Sequence, residues 1–267
     1  MECGVSTACF YPEETIEGLA HLGQLNVPCA EVFLNTAREL TPAYANALSL
    51  ILHKHQIRIA ALHPFTSGME TFFFATDYPT RIEDGYFLYR QYFAFCQMLN
   101  IPRFVFHGMS KGFPFPLERY AEHYLRLREM ARGFGVDFLH ENVVRCICSQ
   151  PETILQLREL TREDIGFVFD IKQARRAQVN PLTMLEAMGA HVQHLHLSDF
   201  TSTCDCAVPG FGAEDFEAVA KKLRAIHFDG TAILEVYRSG FGEAQELAEG
   251  LSFLNRIFID NKGDEQP

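Results

Sequence analysis

Six short apolar runs of the sequence each end on a residue type that binds metal ions. The runs cover residues 58–63, 103–107, 136–141, 166–170, 192–196 and 231–235, and they end on His63, His107, Glu141, Asp170, His196 and Glu235. Carboxylates and imidazoles together suit Mn, Mg, Co or Zn, and the set contains no thiol that would favour a soft metal. The six side chains therefore form a divalent-metal site if the fold gathers the ends of the runs.

These runs have the character of buried parallel strands, because most of them are apolar on both faces. Val105 and Phe106 precede His107, for example, and Val168 and Phe169 precede Asp170. A strand of a barrel needs this pattern, since one face packs in the interior and the other packs against helices. The two exceptions are His140 and His194, of which we interpret His194 as a core residue behind His196 rather than a ligand.

Eight such units alternate along the chain. Runs 5–10 and 30–34 complete eight strands, and the predicted helices are 12–25, 41–55, 80–99, 116–134, 151–160, 180–189, 214–226 and 243–259, with loops at 64–79 and 198–212. The length of 267 residues gives about 33 per unit, as a (β/α)8 barrel requires. No GxGxxG follows the first strand, which disfavours a doubly wound sheet. We predict a single (β/α)8 TIM barrel over residues 1–260 and a polar C-terminal tail over 261–267.

Composition disfavours several classes of partner. The net charge is −11, whereas a nucleic-acid binder usually carries a basic face. No apolar run approaches the ~20 residues of a membrane-spanning helix, and the first ten residues lack the pattern of a secretory signal. The eight cysteines are scattered without a CxxC pair, which indicates reduced thiols. We therefore expect a cytoplasmic protein with no nucleic-acid or membrane partner.

The strongest subset of candidate ligands comprises Glu141, Asp170, His196 and Glu235. Catalytic groups of (β/α)8 enzymes lie at the C-terminal ends of the strands, where these residues fall. A single carboxylate or imidazole at such a position could equally well be a residue that caps a loop instead of a catalytic group. Six together disfavour that explanation, because random loop starts would include Lys, Ser, Asn and Gln.

Four motifs resemble those of the xylose-isomerase-like barrel superfamily, and the resemblance extends over nearly the whole chain. They are LHEN at 139–142, FVFDIKQA at 167–174, HLHLSD at 194–199 and LEVYR at 234–238. The superfamily includes sugar and sugar-phosphate isomerases and epimerases, hydroxypyruvate isomerase, inosose dehydratase and endonuclease IV. The resemblance to the ketose epimerases implies one catalytic metal, with Mn favoured, held by Glu141, Asp170, His196 and Glu235. It also implies that Glu141 and Glu235 act as the acid/base pair.

The implied chemistry is proton transfer on a small sugar or sugar phosphate. A metal that chelates a carbonyl and the adjacent hydroxyl acidifies the C–H between them and stabilises the enediolate. One carboxylate removes that proton, and a carboxylate returns a proton to another carbon or to the other face. We therefore predict a metal-dependent isomerase or epimerase. The sequence leaves open the sugar, the carbon, the presence of a phosphate and whether the chain forms a homo-oligomer.

Position 173 departs from the family, which often has a His there, whereas this chain has Gln173. That His contacts substrate in the epimerases and ligates zinc in endonuclease IV, and Gln is a poor zinc ligand. The loop after strand seven offers Asp205 but no His two residues later, so a three-zinc set is incomplete. A lyase of the inosose dehydratase type on the same site is the first alternative. A zinc-dependent, endonuclease IV-like phosphodiesterase is the second, and a non-catalytic barrel is the third.

Five residues near the mouth are predicted to bind substrate. They are His63, His107, Lys111, Gln173 and Arg238. Isomerases of the superfamily place His at the first two positions to bind sugar hydroxyls, and the nuclease uses them as zinc ligands. Arg238 follows strand eight, where barrel phosphate sites often lie. Further cations near the mouth are Arg145, Lys172, Arg175 and Arg176, and surface charge is the alternative for each.

Overall fold

The computed structural model describes residues 1–260, which form a closed barrel of eight parallel strands in the order β1 to β8. The strands are β1 (Glu2–Ser6), β2 (Cys29–Phe33), β3 (Arg58–His63), β4 (Arg103–Phe106), β5 (Asp137–Glu141), β6 (Gly166–Asp170), β7 (Val192–Leu197) and β8 (Thr231–Leu234). Pairing of β1 with β8, with Val5 opposite Leu234, closes the barrel. The predicted (β/α)8 TIM barrel is confirmed. The predicted tail, 261–267, lies outside the described residues.

Ten α-helices accompany the strands within residues 1–260. They are α1 (Thr15–Gln24), α2 (Pro42–His55), α3 (Glu70–Phe74), α4 (Pro79–Met98), α5 (Leu117–Arg132), α6 (Pro151–Leu160), α7 (Ile171–Arg176), α8 (Pro181–Met188), α9 (Phe216–Ala225) and α10 (Gln245–Phe258). Prolines open α2, α4, α6 and α8, where the missing N–H costs no helical hydrogen bond. None of these helices has the length and apolar character needed to cross a membrane.

Three local expectations were wrong. The first strand ends at Ser6, because the Ser6 side chain accepts a hydrogen bond from the amide of Ala8 and starts a 3₁₀ turn over Thr7–Phe10. Pro12 precedes α1 and is not in its first turn. The predicted loop 64–79 contains the short helix α3, and the short helix α7 lies between β6 and α8, where no helix was predicted. The carboxylate of Asp170 caps α7 by accepting from the amide of Gln173 at 2.9 Å.

The barrel interior contains a small apolar layer directly below the predicted site. Ala61, Val105, Leu139 and Val168 form this layer, and all are fully buried. Each lies two residues before a strand-end residue of the predicted site. Because side chains alternate between the two faces of a strand, the next inward side chains are those of the predicted site. The layer therefore forms the floor on which the polar cluster lies.

Candidate metal centre

The barrel brings all six predicted strand-end side chains into one cluster at its C-terminal mouth. His107 links two of its neighbours, with its Nε2 2.8 Å from His63 Nε2 and 2.9 Å from Glu141 Oε2. His196 links the others, with its Nδ1 3.2 Å from Glu141 Oε1 and 2.8 Å from Glu235 Oε2. Asp170 Oδ2 lies 4.0 Å from the same nitrogen. The convergence that the sequence pattern predicts is therefore present in the fold.

The donor atoms of the four strongest candidates fit a divalent cation. Glu141, Asp170, His196 and Glu235 each offer an atom that lies within 4.8 Å of the others. One oxygen each of Glu141, Asp170 and Glu235 is buried and forms no hydrogen bond with residues 1–260. Their contacts are ion pairs with His107, Lys172 and His196 at 2.9, 3.5 and 2.8 Å. Buried polar atoms are nearly always hydrogen-bonded, so three carboxylate oxygens without a hydrogen bond around one imidazole indicate a place for a cation. Hard oxygen ligands with a single imidazole suit Mn, Mg, Co or Zn.

The pKa values show how strongly the four groups interact. Burial raises the pKa of Asp170 to about 6, and the charges of Glu141 and Glu235 act in the same direction. Burial also lowers the pKa of His196, but the nearby carboxylates of Glu31, Glu235 and Glu141 raise it well above its ordinary value. Both shifts have the same origin, which is the concentration of negative charge from several buried carboxylates, and a bound divalent cation would neutralise that charge.

Glu31 is part of this arrangement, and the sequence analysis missed it. It lies in the middle of β2 with no exposed surface, and its Oε2 accepts from Nε2 of both His194 and His196, each at 2.9 Å. A proton fixed on Nε2 of His196 leaves Nδ1 to face the three carboxylates. Metal-binding histidines usually have such a carboxylate behind them. The available signal was a lone carboxylate within the apolar run CAEVF.

Two other triads also have donor atoms within 4.8 Å of one another. One comprises His63, His107 and Glu141, and the other comprises Glu31, His194 and His196. In the second triad Glu31 is already hydrogen-bonded to both imidazoles, so its members support the centre from below. His194 is fully buried in this lower layer.

Lys172 lies closer to the centre than its description as a cation near the mouth suggests. It is the second residue of α7 and is 2% exposed. Its Nζ lies 3.5 Å from Asp170 Oδ2 and 3.9 Å from Glu235 Oε1. Burial lowers its pKa, but these two carboxylates raise the pKa well above the ordinary value. The side chain therefore remains an ammonium beside the predicted ligands.

The short helix α3 supports the position of His107 through its neighbour Gly108. Glu70 of α3 is buried, and it accepts hydrogen bonds from the amide of Gly108 and, at 2.8 Å, from the hydroxyl of Tyr89. Gly108 has a φ of +82°, and a Cβ there would overlap Tyr120 and His140. Only glycine satisfies both conditions. The helix within the predicted loop thus holds the start of the loop after β4.

The predicted substrate contacts divide into two groups. His63 and His107 belong to the cluster. Gln173 instead accepts from the amide of Val144 at 3.0 Å. Arg238 donates to carbonyls of its own loop, at Phe241 and Gly242. Lys111 is exposed, so the structure brings only the two histidines to the centre.

Asp199 orients the loop after β7. Its carboxylate accepts from the backbone amides of Phe200, Gly210, Gly212 and Glu214 at 2.8–3.0 Å. These four contacts show that Asp199 holds the loop in place. The Pro209-Gly210 turn is thereby fixed beside the mouth.

A closed (β/α)8 barrel with carboxylates and imidazoles gathered at its C-terminal mouth defines the class of protein. The chain belongs to the xylose isomerase-like TIM barrel family, whose model matches residues 19–257. No curated protein matches the sequence significantly.

Several solved structures share the fold at low sequence identity. A D-tagatose 3-epimerase-like protein has a TM-score of 0.78 and 19% identity, with 98% of this chain and 99% of that chain covered. A D-psicose 3-epimerase solved in the presence of D-fructose has a TM-score of 0.80 and 12% identity, with 97% and 99% covered. The "probable 3-DHS dehydratase AsbF" of Bacillus anthracis has a TM-score of 0.74 and 13% identity, with 96% and 99% covered. At these identities the likeness establishes the fold.

Proposed function

We propose that this chain is a divalent-metal-dependent isomerase or epimerase of a sugar or sugar phosphate. The observation that carries the proposal is the four-residue cluster, in which three buried carboxylate oxygens form no hydrogen bond with the described residues and have donor atoms of the other members nearby. Two structurally similar proteins are ketose 3-epimerases or like them, which supports a ketose as the substrate. The proposed cofactor is one Mn²⁺ ion.

In this proposal Glu141, Asp170, His196 and Glu235 hold the ion. When bound, it polarises the carbonyl and adjacent hydroxyl of the substrate, which acidifies the C–H bond and stabilises the enediolate. His63 and His107 bind hydroxyls of the sugar from the β3 and β4 side. Glu31 keeps the Nε2 proton of His196 directed away from the centre.

Glu141 and Glu235 transfer the proton. One carboxylate takes the proton from carbon, the C–H electron pair becomes the second bond of the enediolate C=C, and the carbonyl oxygen gains the negative charge. In an epimerisation a carboxylate then delivers a proton to the opposite face of the same carbon, and the original C=O bond re-forms. In an isomerisation the proton goes to the former carbonyl carbon, the hydroxyl proton moves to the former carbonyl oxygen, and the C=O bond forms at the other carbon. The two residues suit this exchange because Glu141 ends β5 and Glu235 follows β8, so they approach His196 Nδ1 from strands on either side of β7 in the barrel order.

A dehydratase on the same centre is the second candidate, because it needs the same enediolate and in addition a leaving hydroxyl. The structural similarity to a probable dehydratase supports this second candidate function. The contacts of the chain count against a three-zinc phosphodiesterase. Gln173 is bonded to Val144, and Asp205 is paired with Arg176 at 2.7 Å, so neither residue is directed to the cluster.

The first test is the metal content of the protein by elemental analysis after reconstitution with Mn²⁺ and, separately, with Zn²⁺. We expect one ion per chain, lost in Glu235→Gln and in His196→Ala. Two or three zinc ions per chain would favour the hydrolase. Absence of bound metal in the wild type would contradict the proposal.

The second test is exchange of substrate C–H for deuterium, followed by NMR with D-tagatose, D-psicose and D-fructose as probes. We expect Glu141→Gln to abolish exchange while circular dichroism shows an intact fold. A matched control is Glu39→Gln, because Glu39 is also buried but binds Asn35, Thr36 and Tyr44 away from the centre. Wild-type exchange in Glu141→Gln would refute the assigned role.

A further inference from the structure

Lys172 lies between the candidate metal centre and a neighbouring cavity. On one side its Nζ is 3.5 Å from Asp170 Oδ2 and 3.9 Å from Glu235 Oε1. On the other side it lines a cavity of about 320 Å³ together with Arg175, Arg176, Phe200, Thr201 and Asp205. The Tyr237 ring lies 4.9 Å from the ammonium. Lys172 is thus the residue that borders both spaces.

Within residues 1–260 no hydrogen-bond acceptor is engaged by the ammonium of Lys172. An ammonium carries three N–H donors, and a buried one is normally hydrogen-bonded as well as paired. Among residues 1–260, Lys172 Nζ has ion pairs but forms no hydrogen bond, and its partners are the two carboxylates predicted to bind the metal ion. Because those oxygens are committed to a cation, the N–H groups are free to bind an atom from outside the chain.

The other two cations of the cavity wall are already satisfied. Arg175 is paired with Glu214 and also bonds backbone carbonyls of the loop after β7. Arg176 is bonded to Asp205 at 2.7 Å and to the hydroxyl of Tyr237 at 2.7 Å. These arginines build the wall, whereas the ammonium of Lys172 has free donors.

We propose that Lys172 is a further catalytic residue, whose ammonium donates a hydrogen bond to the substrate oxygen that becomes negatively charged in the enediolate. The inference rests on the proposed function and adds to it a positive group supplied by the chain itself. Lys172 keeps its proton throughout, so the proton balance between Glu141 and Glu235 is unchanged. Preorganised donors at a developing negative charge act most strongly where water is excluded, and removal of one such donor typically costs about 10²–10³ in kcat.

The test separates binding of metal from binding of an enediolate analogue. Isothermal calorimetry measures Mn²⁺ binding first, and then binding of glycolohydroxamate, a two-oxygen analogue of the enediolate, to the Mn²⁺-loaded protein. In Lys172→Met we expect Mn²⁺ to bind at least as tightly as in the wild type, because a like charge beside Asp170 and Glu235 is removed. We expect the analogue to bind at least about tenfold more weakly.

Two further variants complete the design. Lys221→Met makes the same change at an exposed position of α9 and should leave both affinities unchanged. Lys172→Gln replaces the ammonium with a neutral donor. It should therefore also retain its affinity for Mn²⁺ and lose affinity for the analogue, but the loss should be smaller than in Lys172→Met. It also provides the measurement if Lys172→Met fails to fold.

Three outcomes would overturn the inference. Unchanged analogue binding in the folded Lys172 variants would show that the ammonium does not contact the substrate oxygen. A parallel loss of Mn²⁺ and analogue binding would show that Lys172 only maintains the structure of the centre. Failure of the wild type to bind Mn²⁺ would overturn the proposed function as well, and so differs from the first two outcomes.

Discussion

Replacing Glu31 with glutamine tests whether the buried layer beneath the centre controls metal binding. The change keeps the shape of the side chain but removes its negative charge. Glu31 Oε2 accepts from Nε2 of both His194 and His196 at 2.9 Å, while its Oε1 accepts from Ser6 at 3.3 Å. A glutamine has one acceptor oxygen and one NH₂ group in place of two acceptor oxygens. At least one of these three donors therefore loses its acceptor or faces another donor.

The expected magnitude follows from the bond to His196. Loss of the carboxylate behind a metal-binding histidine typically costs about 10–100-fold in metal affinity, which corresponds to about 1.4–2.7 kcal/mol. The bond is fully buried, so we expect an effect within this range. The unfolding free energy of the metal-free protein should fall by about 1–3 kcal/mol, because a buried polar group loses its partner.

The assay is Mn²⁺ titration by calorimetry on metal-free wild type, Glu31→Gln and Glu39→Gln, with thermal unfolding of each. Glu39→Gln makes the same chemical change at a buried carboxylate outside the centre, and it should lower stability without changing Mn²⁺ affinity. A folded Glu31→Gln protein with wild-type affinity would refute the reasoning. An equal loss of affinity in Glu39→Gln would also refute it, because the effect would then be a general consequence of lost stability.

Three further predictions concern metal, backbone and pH. Mn²⁺ at about 100 times its dissociation constant should raise the unfolding free energy by about 2.7 kcal/mol, and EDTA should reverse this gain. Thermal unfolding measures both changes. An equal gain in Glu235→Gln would count against the four-ligand site. Gly108→Ala should lower the unfolding free energy by about 2 kcal/mol or more, because residue 108 has a φ of +82° and an added Cβ would overlap Tyr120 and His140. The control is Gly112→Ala, where φ is +77° but the surrounding space is open, and it should cost about 1 kcal/mol. Denaturant unfolding measures both variants. Hydrogen bonds from Arg132 and Arg128 lower the pKa of Asp164 in the folded protein. The contribution of Asp164 to the unfolding free energy is therefore complete above the unfolded-state pKa of about 4, and it is lost as the pH falls through the folded-state pKa. Asp164 is 38% exposed, so Asp164→Asn should cost about 1 kcal/mol or less near neutral pH, and persistence of the difference in strong acid would contradict this sign.

Several features of the centre could be predicted from sequence because each depends on one short segment. A run such as GFVFD ends on its polar residue, and in a parallel barrel every such end lies at the same mouth. That rule alone placed His63, Glu141 and Asp170 together. The roles of the individual residues in metal binding and catalysis remain predictions to be tested by the variants above.

The features that escaped prediction depend on contacts between distant segments. Glu31 is 165 residues from His196, and nothing within β2 indicates that partner. Glu70 is 38 residues from Gly108, in a segment whose aromatic composition gave no clear helical pattern. The side chain of Gln173 turns to Val144, a direction that neither its residue type nor its position could indicate.

The sequence by itself determined the barrel and the residue types at its mouth, because short runs that are apolar on both faces alternate with helical segments, and this alternation specifies the order of the strands. Tertiary structure decided which of those side chains are satisfied and which are left facing one another. Closure of β1 on β8 places Glu31 of β2 against the histidines of β7, although these strands are not neighbours in the sheet. Periodicity encodes the face of a strand on which a residue lies, but distances across the interior exist only once the barrel is closed.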